Sequence, residues 1–275
     1  MKLEIGCRFD HVADVAVPAV AIVEPHSSVR GAVLEARWEG DTAELYEDAD
    51  GNSCRRLILP AGASSFSYSA TIRVSPEPDD VPGAAETQHL IQDLPSDLLH
   101  WLLPSRFCDS DRQAERAWEL FGSAPRGVGA VQAVCDWIHE NIAYGVPTVP
   151  TTNASEVLAQ CGGMCRDFAH LGVTFCRALG IPARYVSGYL PEIEEPLPYD
   201  EVDDFHAWFE TWLGARWWTF DARFNVPRVG RVPIGRGRDA GDVAMVTTYG
   251  PARLERMSVW GNVVSGERTG DDDDR

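Results

Sequence analysis

The chain lacks any run of apolar residues approaching the ~20 that a membrane-spanning helix requires, which excludes such a helix as its organising element. Its opening residues, MKLEIGCRFDHVADV, lack a basic stretch followed by an apolar run. No export signal is read there, and the cytoplasm is the expected compartment. Basic residues are scarce: 24 Lys and Arg stand against 42 Asp and Glu, a formal charge of −18. A chain this acidic is repelled by phosphate backbones, so nucleic acid is not an expected partner. An even, regularly spaced cysteine framework is also missing. The seven cysteines (Cys7, Cys54, Cys108, Cys135, Cys161, Cys165 and Cys176) are odd in number and scattered, which argues against a disulfide scaffold. Free thiols are expected, most as small buried hydrophobes and one available for chemistry.

Metal binding also lacks its pattern. Cys161 and Cys165 are four residues apart, with His170 and Cys176 nearby. Structural zinc, however, needs a second ligand pair converging from elsewhere, and His170 falls on the same helix. No calcium-loop pattern occurs. No metal and no other cofactor is expected. A redox link between Cys161 and Cys165 stays open as a means of regulation.

What is present is the composition of an ordered protein: 44% hydrophobic, 24% charged, with nine Trp in 275 residues. That length can bury one large core or two smaller ones. Residues 1–95 read as a β-rich, sandwich-like domain. Short, partly alternating segments recur there, namely AVAIVE (19–24), AVLEARWE (32–39), TAELYED (42–48), CRRLILP (54–60) and ATIRVS (70–75). Turn-formers at Asp50, Gly51 and Asn52, and from 60 to 65, separate them. The stretch SPEPDDVPGAAE (75–86) reads as a boundary or exposed loop. Residues 96–264 form the second expected domain, and 265–275, with Asp271 to Asp274, an acidic disordered tail.

In the second domain the pattern predicts helices over 111–121, 129–141, 155–159 and 165–179, the last stopped by Gly180 and Pro182. Strands are predicted over 183–189, 205–213 and 216–221, a long Gly/Pro/Arg-rich loop over 226–241, and a last pair of strands (244–250 and 252–261) closing the sheet. Helices followed by an antiparallel sheet make the class α+β.

Two features carry chemistry. Cys165 begins a helix whose stripe Phe168, Leu171, Gly172, Phe175 and Leu179 is spaced to pack on a sheet. A thiol at the first turn meets free N–H groups and the positive end of the helix dipole. A lowered thiol pKa is therefore expected there, and the same N–H groups suit an oxyanion. Gly162 and Gly163 are expected to let the backbone turn sharply beside it. The second feature is the hairpin DFHAWFETWL–RWWTFDA, turning near Gly214. The positions of His206 and Asp221 add to an odd number, so a two- or four-residue turn puts both on one face. An Asp beside His206 accepts the Nδ1 proton and leaves the other ring nitrogen to deprotonate a thiol.

These residues resemble a known family. The string GGMCRDFAHLGVTFCRALGIPARYVSGYL (162–190), followed by DDFHAWFETWL (203–213) and WWTFDA (217–222), is similar to the nucleophile, base and acid segments of bacterial transglutaminase-like proteins of the cysteine protease group. WLLPSRFCDSD (101–111) and GRGRDAGDVAMVTTYGP (235–251) look like further hallmarks of that group, and the β-rich first third resembles the region that accompanies such domains. The segment after Asp221, DARFNVPRVG, lacks the early Pro of many relatives. The resemblance implies a papain-like core of helices on an antiparallel sheet, with Cys165 as nucleophile, His206 as general base and acid, and Asp221 orienting His206. No motif fixes a side-chain oxyanion donor; Tyr144, after the second helix, is the candidate. Asp239 and Asp242 are further residues that could line a cleft. The implied reaction is acyl transfer on a protein or peptide amide through a thioester, with hydrolysis favoured. Protein crosslinking and a non-catalytic binding module are the alternatives.

Overall fold

The structure, a computed structural model, describes residues 1–41, 44–191, 193 and 204–264; the acidic tail expected at 265–275 lies outside the described residues. The first strand, β1 (Lys2–Ala13), points Leu3, Ile5, Cys7 and Phe9 inward and Glu4 and Arg8 outward, the period-2 alternation of a strand with one covered face. It was not among the segments read as strands. After it come β2 (Val17–Ala21), a short helix α1 (Ser27–Arg30), β3 (Val33–Glu39), β4 (Glu44–Glu47), β5 (Ser53–Leu59) and β6 (Gly62–Arg73). Strand β6 begins inside the stretch read as a turn, because Gly62 takes φ 92° and the chain pairs at once with Ala13. Residues 75–86 carry neither helix nor strand.

The helical part is close to its prediction: α2 (Ala114–Phe121), α3 (Val128–Asn141), α4 (Ala154–Gln160) and α5 (Cys165–Ala178). Helix α4 starts at a capping box in which the Asn153 side chain accepts the Glu156 N–H and the Glu156 side chain accepts the Asn153 N–H. Between these helices, two-residue strands β7 (Ala143–Tyr144) and β8 (Gly162–Gly163) form a parallel bridge. Helix α5 differs from the one-sided helix expected. Every residue from Asp167 to Arg177 is buried, because α2, α3 and α4 cover the side turned away from the sheet.

The sheet under α5 has the order β11-β10-β9-β12, with β9 (Ala183–Tyr189), β10 (His206–Leu213), β11 (Arg216–Phe220) and β12 (Val232–Gly237). Strand β12 overturns the loop predicted over 226–241. Its Pro233 and Gly235, which hid it in the sequence, sit at a register shift on the outer edge of the sheet, where a missing N–H is tolerated. Helix and sheet meet closely at Gly172, where a Cβ would lie 2.4 Å from the Phe209 ring. Gly172→Ala is therefore expected to destabilise the protein by ~1–3 kcal/mol through overpacking; thermal unfolding of the purified variant checks it.

The last pair of strands corrects the prediction most. Strands β13 (Val246–Thr248) and β14 (Ala252–Val263) do not close the β9–β12 sheet. Strand β14 pairs with β1 from Leu3–Val263 to Ala13–Ala252, and β13 pairs with β2. The sheets β14-β1-β6-β3 and β13-β2-β5-β4 form the N-terminal β-rich unit around one core. Tyr189, Val232 and Ile234 of the other sheet, and Phe205 just before β10, also enter that core. The chain is α+β, with a helix-on-sheet part and a β-sandwich part sharing packed residues. Among the described residues no helix is long and apolar enough to cross a membrane.

Candidate active site

Cys165 is the first residue of α5. The turn before it is made at Cys161, which caps α4 at φ 53°, and not at the glycines as expected. Gly162 and Gly163 serve close approach instead: a Cβ would meet Val146 at 2.5 Å or Asp167 at 2.7 Å. Asp167 locks the helix start by accepting the Met164 N–H (2.9 Å) and the Thr148 hydroxyl (2.7 Å). The Asp167 and Phe168 amides bond Met164 O, which leaves the Cys165 and Arg166 amides with no acceptor among the described residues. The half-buried thiol lies 4.0 Å from the carbonyl oxygen of Phe205, at the start of β10.

The hairpin has the register that the parity argument required. Phe209 pairs with Phe220 and Leu213 with Arg216, leaving a two-residue turn of Gly214 and Ala215 with Gly214 at φ 61°. Ala207, Phe209 and Leu213 pack in the core under α5, so His206, Trp208 and Glu210 belong to the other side of the strand. His206 nevertheless borders the same cleft as Cys165 because it is the first residue of β10, where the sheet ends.

His206 Nε2 lies 2.7 Å from Asp221 Oδ2, and both residues are buried. This differs from the expected nitrogen: Asp221 takes Nε2 and not Nδ1. Asp221 Oδ2 also accepts Arg231 Nη2 at 2.9 Å, and Oδ1 accepts the Arg223 amide at 3.1 Å. Burial alone would raise the Asp221 pKa, but His206 and Arg231 hold it well below the usual carboxylate range. Burial lowers the His206 pKa below its ordinary 6.5; Asp221 opposes this, while Arg231 and Arg223 add to it. The thiol runs against expectation. Burial pushes Cys165 up to about 11, with Arg223 and the Ala207 amide pulling it down and Asp204 and Asp221 pushing it further up. Burial thus works against charge on both the thiol and the imidazole, while the carboxylate beside them is held in its charged form.

Cys165 and His206 open on a cleft of about 730 Å³. Tyr144, the candidate oxyanion donor, lines it, edge-on to Phe168 (ring centroids 5.7 Å) with the Arg223 guanidinium 3.9 Å from its ring centre. Asp239 and Asp242 do not line it: Asp239 accepts the Phe107 amide at 2.8 Å, and Asp242 pairs with Arg238 at 2.9 Å.

Residues 115–222 match the sequence profile of the transglutaminase-like superfamily. The chain is similar along nearly all its length to the crystal structure of a "putative cysteine protease" from Cytophaga hutchinsonii, at 30% identity and a TM-score of 0.80 over 98% of this chain and 92% of the other. The chain belongs to the transglutaminase-like superfamily. Two curated relatives, both uncharacterized proteins, match parts of it. One from Mycobacterium leprae is 38% identical over 119 residues, covering 42% of each chain. One from Mycobacterium tuberculosis is 36% identical over 107 residues, covering 35% of this chain and 33% of its own. The matches thus span less than half the length of those relatives.

Around this candidate site, five residues escaped the sequence reading. Tyr185, buried on β9 and lining the cleft, has its phenol pKa pushed well above the ordinary range, first by burial and then by Cys165. Its only signal was a place in a predicted strand. Met257, Val259 and Trp260 come from β14 and form the far wall. Trp260 lies across β1 because Gly6, its partner in register, has no side chain; a Cβ there would be 2.2 Å from the indole. Arg231, the guanidinium on Asp221, came from the segment read as loop.

Proposed function

We propose that this chain is a cysteine-dependent acyl-transfer enzyme that acts on protein or peptide amides and hydrolyses them. The observation that carries the reading is a helix-start thiol and a buried His–Asp pair at 2.7 Å, both groups of the first step opening on one cleft. His206 Nδ1 takes the Cys165 proton as the sulfur attacks the amide carbonyl. The oxyanion is met by the first-turn amides of α5 and a tyrosine hydroxyl, that of Tyr144 or Tyr185. Asp221 holds Nε2–H and supports the imidazolium that forms. The imidazolium then gives its proton to the leaving amine, and a thioester remains on Cys165. Water activated by His206 resolves it to a carboxylic acid. Hydrolysis is favoured over amine transfer because the full-length similar structure bears a cysteine protease name.

Mapped iodoacetamide labelling of all seven thiols tests the reading. Cys161 is the exposed thiol and serves as internal control. Labelling at Cys165 should outpace Cys161 near neutral pH and fall at least tenfold in His206→Ala, with Cys161 unchanged. Equal rates at both thiols, or no dependence on His206, would overturn it. Fluorogenic peptide amides incubated with and without a primary amine separate the two fates of the thioester, since an amine adduct of the acyl group marks transfer.

The pH profile has a definite sign. Thiol with neutral imidazole and thiolate with imidazolium carry the same number of protons. The acid limb of the rate therefore reports His206, whose folded pKa lies below 6.5. The rate is expected to rise with a midpoint under 6.5 and to hold until the thiol ionises near 11, as measured by kcat/KM or Cys165 labelling from pH 4 upward.

A further inference from the structure

Arg231 stands just before β12, and its side chain is only 5% exposed. It bridges two carboxylates. Nη2 donates to Asp221 Oδ2 at 2.9 Å, and Nε donates to Asp79 Oδ2 at 2.7 Å. The Asp221 oxygen it reaches is the one that faces His206 Nε2 at 2.7 Å, so guanidinium and imidazole share a single acceptor atom. The guanidinium also lies 4.9 Å from the centre of the Trp208 ring, which stacks beside His206. Asp79 belongs to the segment between β6 and α2 and is fixed to the loop before β12. It accepts the Arg228 amide at 3.0 Å, and its own amide donates to Arg228 O at 2.9 Å. Among the described residues, the charged and titratable groups around His206 are Asp221, Arg223, Arg228 and Arg231 from the residues after β11, Asp79 behind Arg231, Asp204 before β10, and Cys165 on α5.

A buried guanidinium between two carboxylates satisfies a fold requirement by itself. What exceeds that requirement is the shared oxygen. A carboxylate left to one imidazole draws it into an ion pair, which traps a proton on the ring before the thiol can deliver its own. A carboxylate that also holds a guanidinium keeps its angle toward Nε2 and spends part of its field elsewhere.

We propose that Arg231 is a positioning residue of the acyl-transfer site: by sharing the Asp221 oxygen with His206, it aims the carboxylate at Nε2 and offsets the pull of Asp221 on the ring proton, which sets the pH at which His206 can exchange a proton with Cys165. The proposal rests on the reading of Cys165, His206 and Asp221 given above. Asp79 sets how much of the Arg231 charge is left for Asp221.

The test is the acid limb of Cys165 labelling by iodoacetamide, with Cys161 as control, in the full chain. Arg231→Met should move the limb up by about one pH unit, so that labelling at pH 6 falls up to ~10-fold relative to its own plateau. Arg231→Lys retains the charge and should bring the limb back near the wild-type position. Asp79→Asn should move it the other way, because Arg231 then loses its second counter-charge. An acid limb unmoved in both Arg231→Met and Asp79→Asn, with only the yield of folded protein or the plateau changed, would make Arg231 a structural bridge and overturn the proposal. If Arg231→Met does not fold, Asp79→Asn decides alone: a downward shift supports it and an unmoved limb overturns it. Failure of the underlying reading looks different, since wild-type Cys165 would then show no advantage over Cys161 at any pH.

Discussion

Cys165→Ala is expected to lower amide turnover by ~10³-fold or more while leaving the folded protein intact. Among the described residues that line the cleft, Cys165 is the one thiol. Cys161, the nearest thiol in sequence, caps the preceding helix and directs its sulfur toward Leu158 O at 3.5 Å. Removing one half-buried sulfur costs little packing, and the helix start is held by Asp167 and Thr148 rather than by the thiol. Turnover of a fluorogenic peptide amide, read beside a thermal melt, checks both halves. Activity retained in a normally melting Cys165→Ala protein would remove the cysteine mechanism, because the two other groups of the site cannot form a thioester.

Asp221→Ala is expected to lose both stability and activity. It removes the acceptor of His206 and of Arg231 at once and leaves a buried guanidinium with Asp79 as its remaining carboxylate. Breaking a buried pair from one side costs ~3–5 kcal/mol, so Tm should fall by about 10 °C. Turnover in the protein that remains folded should drop ~10²–10⁴-fold, because the imidazole loses its fixed orientation. The pH dependence has a fixed direction. The Asp221 pKa is depressed in the folded state, so its contribution to stability is present in full above the ordinary carboxylate pKa near 4. That contribution is lost as the pH falls through the folded value. Urea unfolding at pH 7 and pH 3 should therefore show the wild type converging on Asp221→Ala as acid is added. A stability gap that stayed constant between the two pH values would mean that Asp221 is not held as a paired carboxylate.

The local structure of the candidate site was legible wherever it followed from neighbours in sequence. Helix α5 announces itself by its spacing and by Gly180, which takes φ 76° where the helix ends. Strands β9, β10 and β11 were readable within a residue or two, and the parity of His206 and Asp221 needed only a two-residue turn, which Gly214 provides. The weaker readings failed for one reason. Strand β12 carries Pro233 and Gly235, β13 and β14 come after it with no sign of a change of sheet, and β1 lacks a turn signal before it. Each is specified by the strand it pairs with, and pairing between distant segments leaves no local mark.

The sequence by itself determined the α+β class, the helix that begins at Cys165, and the hairpin that puts His206 and Asp221 on one face, since periodicity, capping and turn length act over a few residues. Only the tertiary structure decided that β14 lies against β1 and walls the cleft with Trp260, that Nε2 faces Asp221 with Arg231 behind it, and that burial raises the thiol pKa against the pull of the helix start. These depend on burial and on charges brought together from segments up to about 150 residues apart, such as Asp79 and Arg231. Desolvation and Coulomb interaction follow distance in space, and spacing along the chain carries no record of it.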